Sequence, residues 1–213
     1  MRKALNFSPA LDRPHLLAAP VRAALERWSG APWADQVQVA EIDPAAADSH
    51  ELCERYGLDP AAGGTTLIVQ AIRGGLARPA AALVPVGARA DLGGRVRRHL
   101  ATREVRLMDR RQAVAATGMQ HGSITVIGLP QGWPILVDEA LAGQGELIIG
   151  SGLVRSKIKL PAKALVEITG AMVTSLRRER PGEVEDQAAR EGPGGDHRGH
   201  GDQPAEGVDC SPS

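Results

Sequence analysis

Apolar positions in this chain come in short runs whose period switches between helix and strand, with Gly and Pro at the breaks. Pro9, Pro14 and Pro20 keep residues 1–20 irregular. Val21, Leu25 and Trp28 recur at helical spacing, and Gly30 and Pro32 end that helix. Residues 37–42 read as a short strand. Asp48 with Glu51 three residues on resembles a capping box, opening a helix through Leu52 and Tyr56 that Gly57 stops. The largely β-branched run 65–72 is a strand. Arg73-Gly74-Gly75 turns it, and a long loop leads to a return strand over 80–86. Asp91 caps a helix carrying Leu92, Val96 and Leu100. Residues 105–108 form a short strand, and Asp109 caps a further helix that Gly118 ends. A loop with an embedded strand occupies 121–130, followed by apolar strands at 135–137 and 147–149. The turn Gly150-Ser151-Gly152 leads into a strand at 157–160, Pro161 takes the first position of a helix, and Met172-Val173 forms a last strand.

There is no internal repeat. The alternation of elements is irregular, and the hairpin requires antiparallel pairing. This pattern defines a mixed α/β (α+β) domain with a largely antiparallel sheet flanked by helices, not a doubly wound parallel sheet.

Composition narrows the function classes. The 213 residues hold 43% hydrophobic side chains, enough for one sizeable core, but only 2% aromatics, too few for a base-stacking platform. Two cysteines far apart, Cys53 and Cys210, exclude a disulfide framework and a thiolate-rich zinc site. No apolar run reaches the ~18 residues of a membrane span, and the first residues lack a signal-peptide core, so the expectation is a cytoplasmic protein with no membrane partner. The 25 basic and 25 acidic residues balance overall but not locally. Residues 182–213 carry eight acids and two arginines, which leaves the body at +6. That Gly/Pro-rich acidic tail reads as disordered, and the mildly basic body suits an anionic partner. The expected organisation is residues 1–47 as an N-terminal helix and strand of the same domain, 48–181 as the core, and 182–213 as the tail.

The motifs exclude several chemistries. Gly150-Ser151-Gly152 follows a strand, but Arg155 stands where a dinucleotide fingerprint needs its third glycine. There is no P-loop and no nucleophile elbow. Cys53 on a short amphipathic helix reads as a small core residue. Two glycine-rich turns, around Gly122 and Gly150, have two open readings: plain tight turns, or backbone N–H groups presented to an anion or a developing oxyanion. The basic groups Arg155, Lys157, Lys159 and Arg95, Arg97, Arg98 are likewise either solvated faces or phosphate contacts.

An ordered series of segments adds a resemblance. Thr66-Leu67-Ile68-Val69, Ala82-Leu83-Val84-Pro85-Val86, Val96-Arg97-Arg98-His99-Leu100, Thr117-Gly118-Met119 with Gly122-Ser123-Ile124-Thr125-Val126-Ile127-Gly128, Leu136-Val137-Asp138 and Gly150-Ser151-Gly152 together resemble the YbaK/ProX family. These are aminoacyl-tRNA deacylase domains related to the editing insert of bacterial prolyl-tRNA synthetases. The resemblance implies a mixed, partly barrel-like sheet flanked by helices. It also implies trans-editing hydrolysis of the ester joining a small, wrong amino acid to tRNA, with tRNA as partner, no DNA and no cofactor. Relatives build the pocket from a Gly-Gly-Ile-Ser/Thr-Pro-hydrophobic-Gly loop, a second glycine turn and a lysine just before the Thr-Leu-Val-Val strand. Here Gly122 and Gly128 match the loop, Ser123 replaces its second glycine, Val126 replaces its proline, and the lysine position falls on Thr65. The implied catalytic backbone is that of Gly122, Ser123, Gly150 and Gly152. Substrate contacts fall to Thr65, His121, Ile124, Thr125, Gly128 and Ser151, and tRNA contacts to Arg155, Lys157 and Lys159. The alternative is a catalytically weak relative that binds an aminoacyl-tRNA end or a small acyl ligand without turnover.

Overall fold

A computed structural model describes residues 4–47 and 49–178. The expected cap at Asp48 and the acidic segment 182–213 lie outside the described residues. The first half runs β1 (Ser8–Pro9), α1 (Ala19–Arg27), β2 (Gln38–Glu41), α2 (Ser49–Tyr56), β3 (Gly64–Arg73), β4 (Leu76–Pro85), α3 (Arg97–His99), β5 (Glu104–Leu107) and α4 (Arg110–Thr117). Then come β6 (Ile135–Asp138), α5 (Glu139–Ala142), β7 (Glu146–Gly150), β8 (Ser156–Pro161), α6 (Ala162–Thr169) and β9 (Met172–Thr174).

The strands form two sheets, so the fold is α+β. One is antiparallel, in the order β1-β2-β8-β7; the other, β5-β3-β4-β6-β9, is antiparallel through β4 and parallel beyond it. The sheets touch at an isolated bridge, Gly63 to Ile148, and among the described residues they do not close into a barrel. The hairpin is tighter than the sequence pattern suggests. Pairing runs unbroken from Gly64↔Pro85 to Arg73↔Leu76. Gly74 and Gly75 (φ 59° and 79°) form a two-residue turn of the kind whose twist matches the flanking strands. Pro79 disguises the start of β4, yet β6 pairs only with Ala81–Leu83, so at Pro79 one side of β4 is still an open edge that needs no donor.

Between the sheets lies the main core, with Val39, Leu147, Ile149, Ile158 and Leu160 facing Ile68, Leu83 and Val137. The outer face of the second sheet (Ala82, Val84, Leu136) is covered by Val96 and Leu176. Val96 belongs to a π turn, Leu92–Val96, that runs into α3 and is capped by Asp91, whose side chain accepts from Gly94 and Arg95 N–H. The outer face of the first sheet, around Ile148, is covered by Leu52 and Tyr56 of α2. Buried Asp138 closes the far end: it caps α5 through Ala140 N–H (3.0 Å) and accepts Leu176 N–H (2.8 Å). Arg177 Nε sits 3.1 Å from the same carboxylate as an ion pair.

Candidate functional site

The segment after α4 contains no strand. Val126 and Ile127 are fully buried in the main core, which is what made the run look strand-like, but its backbone bonds are irregular. Instead, the loop is laced to the turn after β7. Gly152 N–H donates to Ser123 O (2.9 Å), Gln120 N–H to Gly152 O (2.8 Å), and Val154 N–H to the Gln120 side chain (2.8 Å). Two glycines make this approach possible. A Cβ on Gly150 would overlap Ser123 O and lie 2.8 Å from the Ser123 carbonyl carbon and 3.0 Å from Ile124 O. One on Gly152 (φ 82°) would overlap Ala18 Cβ.

Register fixes what else shares this place. Gly150 pairs with Lys157, so their side-chain positions share a face, and the Ser123–Ile124 backbone lies over it. Two residues beyond the Gly63–Ile148 bridge on either strand stand Thr65 and Gly150. Beside them is a cavity of about 10 Å³, room for roughly one water, lined by Lys157, Cys53, Asp59, Gly63, Gly64 and Ile148.

The implied site residues divide accordingly. The Ser151 hydroxyl is spent on the turn, bonded to Leu153 O (3.1 Å), Ser156 O (3.0 Å) and Ser156 Oγ (2.7 Å). Gly152 N–H is spent on Ser123 O, so it is no oxyanion donor. By contrast, the N–H groups of Gly122 and Ile124 make no hydrogen bond among the described residues. Ser123 and Thr125 are buried, and their hydroxyls have no partner among the described residues. His121 is exposed, and Gly128 (φ 79°) packs against the Pro20 carbonyl. Thr65 pairs with Val84, on the face opposite the main core, whereas Thr66 pairs with core-facing Leu83 and also has an unpartnered buried hydroxyl.

The three cations after the turn do not form one basic surface. Lys157 is 5% exposed, and its ammonium donates to Ala47 O (3.2 Å) beneath α2, so its assignment to acceptor-stem phosphates does not fit its burial. Arg155 is exposed and holds His15 O (2.5 Å). Lys159 is half-buried, 3.5 Å from Glu146 and 5.0 Å above the Phe7 ring. Burial, with Asp59 nearby, pushes the Cys53 thiol above its ordinary pKa, and Lys157 partly offsets the rise. Cys53 is thus a neutral thiol at pH 7, in line with its reading as a core residue. Sequence reasoning missed the cavity, because only folding brings α2, β3 and β8 together.

The fold defines a class, α+β domains built on two sheets flanked, among the described residues, by six helices. The chain belongs to the aminoacyl-tRNA editing domain family, which matches residues 43–168, more than half its length. Among solved structures it is similar to a scaffold from work on epitope backbone grafting by computational design (TM-score 0.65, 25% identity, covering 76% of this chain and 97% of that one). It is equally similar to a protein proposed as a trans-editing enzyme for prolyl tRNA synthetase (TM-score 0.65, 24% identity, 76% and 97%). A hypothetical protein follows at TM-score 0.62 and 22% identity, covering 73% and 99%. Among the described residues no helix is long and apolar enough to cross a membrane.

Proposed function

We propose that the chain is a trans-editing deacylase that hydrolyses the ester between tRNA and a small, wrongly attached amino acid. The observation that carries this reading is the interlock of the 119–128 loop with the Gly150–Gly152 turn, which leaves the Gly122 and Ile124 N–H groups uncommitted. An aminoacyl ester is already activated by its α-ammonium and the neighbouring ribose hydroxyl, so the protein needs to position a water and stabilise an oxyanion rather than supply a strong base. Each well-placed donor contributes about 3–4 kcal/mol to that stabilisation. The Gly122 and Ile124 N–H groups take this role. The unpartnered Ser123 and Thr125 hydroxyls hold the attacking water or the amino acid's polar end. Lys157, directly across from Gly150, is the site's cation. A pocket wall alone separates amino acids by only about 1–3 kcal/mol per methylene, which is the reason a separate hydrolytic sieve is useful.

Single-turnover incubation with a panel of tRNAs carrying alanine, serine, cysteine or proline tests the reading. Faster ester loss than in buffer for at least one small amino acid is expected. Tight binding of the charged tRNA with no acceleration for any member would replace the reading with the binding-only alternative.

A further inference from the structure

The body's positive charge is not spread over its surface. Residues 73–111 contain ten arginines, no lysine and three carboxylates, a surplus of seven that accounts for the whole excess of the body. The three carboxylates are engaged locally: Asp91 and Asp109 cap helices, and Glu104 pairs with Arg106.

The fold gathers three of these arginines at the hairpin end of the second sheet and sets a fourth on the helix that covers its outer face. Arg78 pairs with Ala71, and Val105 pairs with Ala71 from the other side, so all three share the outer face. Arg73 and Arg103 are each two residues further along the same face, Arg103 bonding through its N–H to Ile72 O (3.3 Å). Arg98 is exposed on the helical segment that covers this face. All four are exposed, and none pairs with a carboxylate among the described residues. Arg110 and Arg111, at the exposed start of α4, flank the group. Like charges this close repel, and arginine's planar fork matches phosphate oxygens bidentately.

We propose that Arg73, Arg78, Arg98 and Arg103 form a docking surface for the phosphodiester backbone of an RNA stem, remote from the hydrolytic site. The length of β3 sets the separation. From Gly64, beside the cavity, to Arg73 is nine steps of a strand, about 30 Å. A single nucleotide cannot touch both ends; a tRNA with its 3′ end in the site can. The identity of the RNA rests on the function proposed above, but the binding itself does not.

The test replaces the four arginines by glutamine and measures binding of uncharged tRNA and of an acceptor-stem hairpin across a salt series. All four side chains are exposed, so an unchanged melting temperature is expected. Affinity at physiological salt is expected to fall about ten- to a hundredfold. The slope of log K against log salt should flatten by about 0.7–0.9 for each phosphate that the variant no longer neutralises. Hydrolysis of a short 3′-aminoacyl CCA trinucleotide should stay at the wild-type rate while kcat/KM on full tRNA drops. If neither protein hydrolyses any ester but the RNA slope still flattens, the surface stands and the deacylase reading fails. An unchanged slope on both RNAs overturns the surface. So does loss of binding to phosphatidylserine vesicles or to a polyglutamate peptide with RNA binding intact.

Discussion

Replacing Gly150 by alanine adds one methyl group at the point where the two loops meet. That methyl would lie 2.8 Å from the Ser123 carbonyl carbon and 3.0 Å from Ile124 O, against the roughly 3.5–4.0 Å of ordinary carbon contacts. Relief therefore needs a shift of about 0.7 Å or more. The neighbours are backbone, anchored by the buried Val126 and Ile127, so no side-chain rotation supplies the shift. Overpacking costs about 1–3 kcal/mol when side chains can yield. Here the Gly152–Ser123 and Gln120–Gly152 bonds weaken as well, each worth about 0.5–1.5 kcal/mol. The expected destabilisation is about 2–4 kcal/mol, or roughly 5–15 °C in melting temperature for a domain of this size. Displacing the Gly122 and Ile124 donors by nearly 1 Å is expected to lower single-turnover hydrolysis about a hundredfold. Gly143→Ala is the control. Gly143 has φ −79° and its added methyl would meet nothing closer than 3.5 Å, so this variant should melt at or slightly above the wild type. If Gly150→Ala melts with the wild type and hydrolyses at its rate, the interlock is not what builds the site.

Lys157→Met keeps the buried stem and removes the charge; it is expected to lower the single-turnover rate at least tenfold while costing about 1–3 kcal/mol of unfolding free energy in a urea titration, because Ala47 O loses its donor. Thr65→Lys should not raise the rate above wild type, because the proposed site takes its cation from Lys157, the strand partner of Gly150; a clear gain in rate would refute that. Asp138→Ala leaves Leu176 and Ala140 N–H groups without their acceptor at a fully buried position, and should cost about 2–4 kcal/mol in a urea titration. The Cys53 thiol has a folded pKa above its unfolded one, so its contribution to stability is fully present below the unfolded value and is lost as pH rises through the folded value. In a Cys210→Ser background, iodoacetamide labelling of Cys53 should accordingly lag behind a free thiol at pH 8 and accelerate only at higher pH, and Lys157→Met should delay it further.

Local signals made most elements legible. Asp91 and Asp109 were readable as caps because an Asp before a helical run satisfies N–H groups of the first turn, and both do so here. Gly118 ends α4 in the left-handed conformation that makes glycine the usual stop. The strand expected within 121–130 is absent because hydrophobicity reports burial rather than backbone geometry. Val126 and Ile127 are as buried as any strand residue, yet their loop is held by bonds to a turn that begins more than twenty residues later. Residues 76–79 read as loop because the sequence does not reveal how far β6 extends along β4, and so where a proline is tolerated. At the site, the glycines were readable as special, but the division of labour among their N–H groups was not. Whether Gly152 donates to a substrate or to Ser123 depends on a tertiary contact.

The same limit explains the cations. Arg155, Lys157 and Lys159 look alike in sequence, three basic residues at alternate positions after a turn. In the fold, β8 is covered by α2 at Lys157 and passes beside Phe7 and Glu146 at Lys159, so neighbouring positions of one strand meet different surroundings. The charge that matters for a partner must be counted by surface, not by segment. A body surplus of +6 is a weak signal when spread over 181 residues, but the hairpin, the residue before β5 and the helix over that face bring together four exposed arginines that have no carboxylate partner among the described residues. A similar displacement applies at Thr65. A position that lacks a lysine in sequence need not lack a cation in space, because the Gly63–Ile148 bridge brings the start of β3 to β7, and β7 pairs Gly150 with Lys157 of β8. In the proposed site the cation is therefore not the residue at the aligned position but Lys157, from a strand more than ninety residues further along the chain.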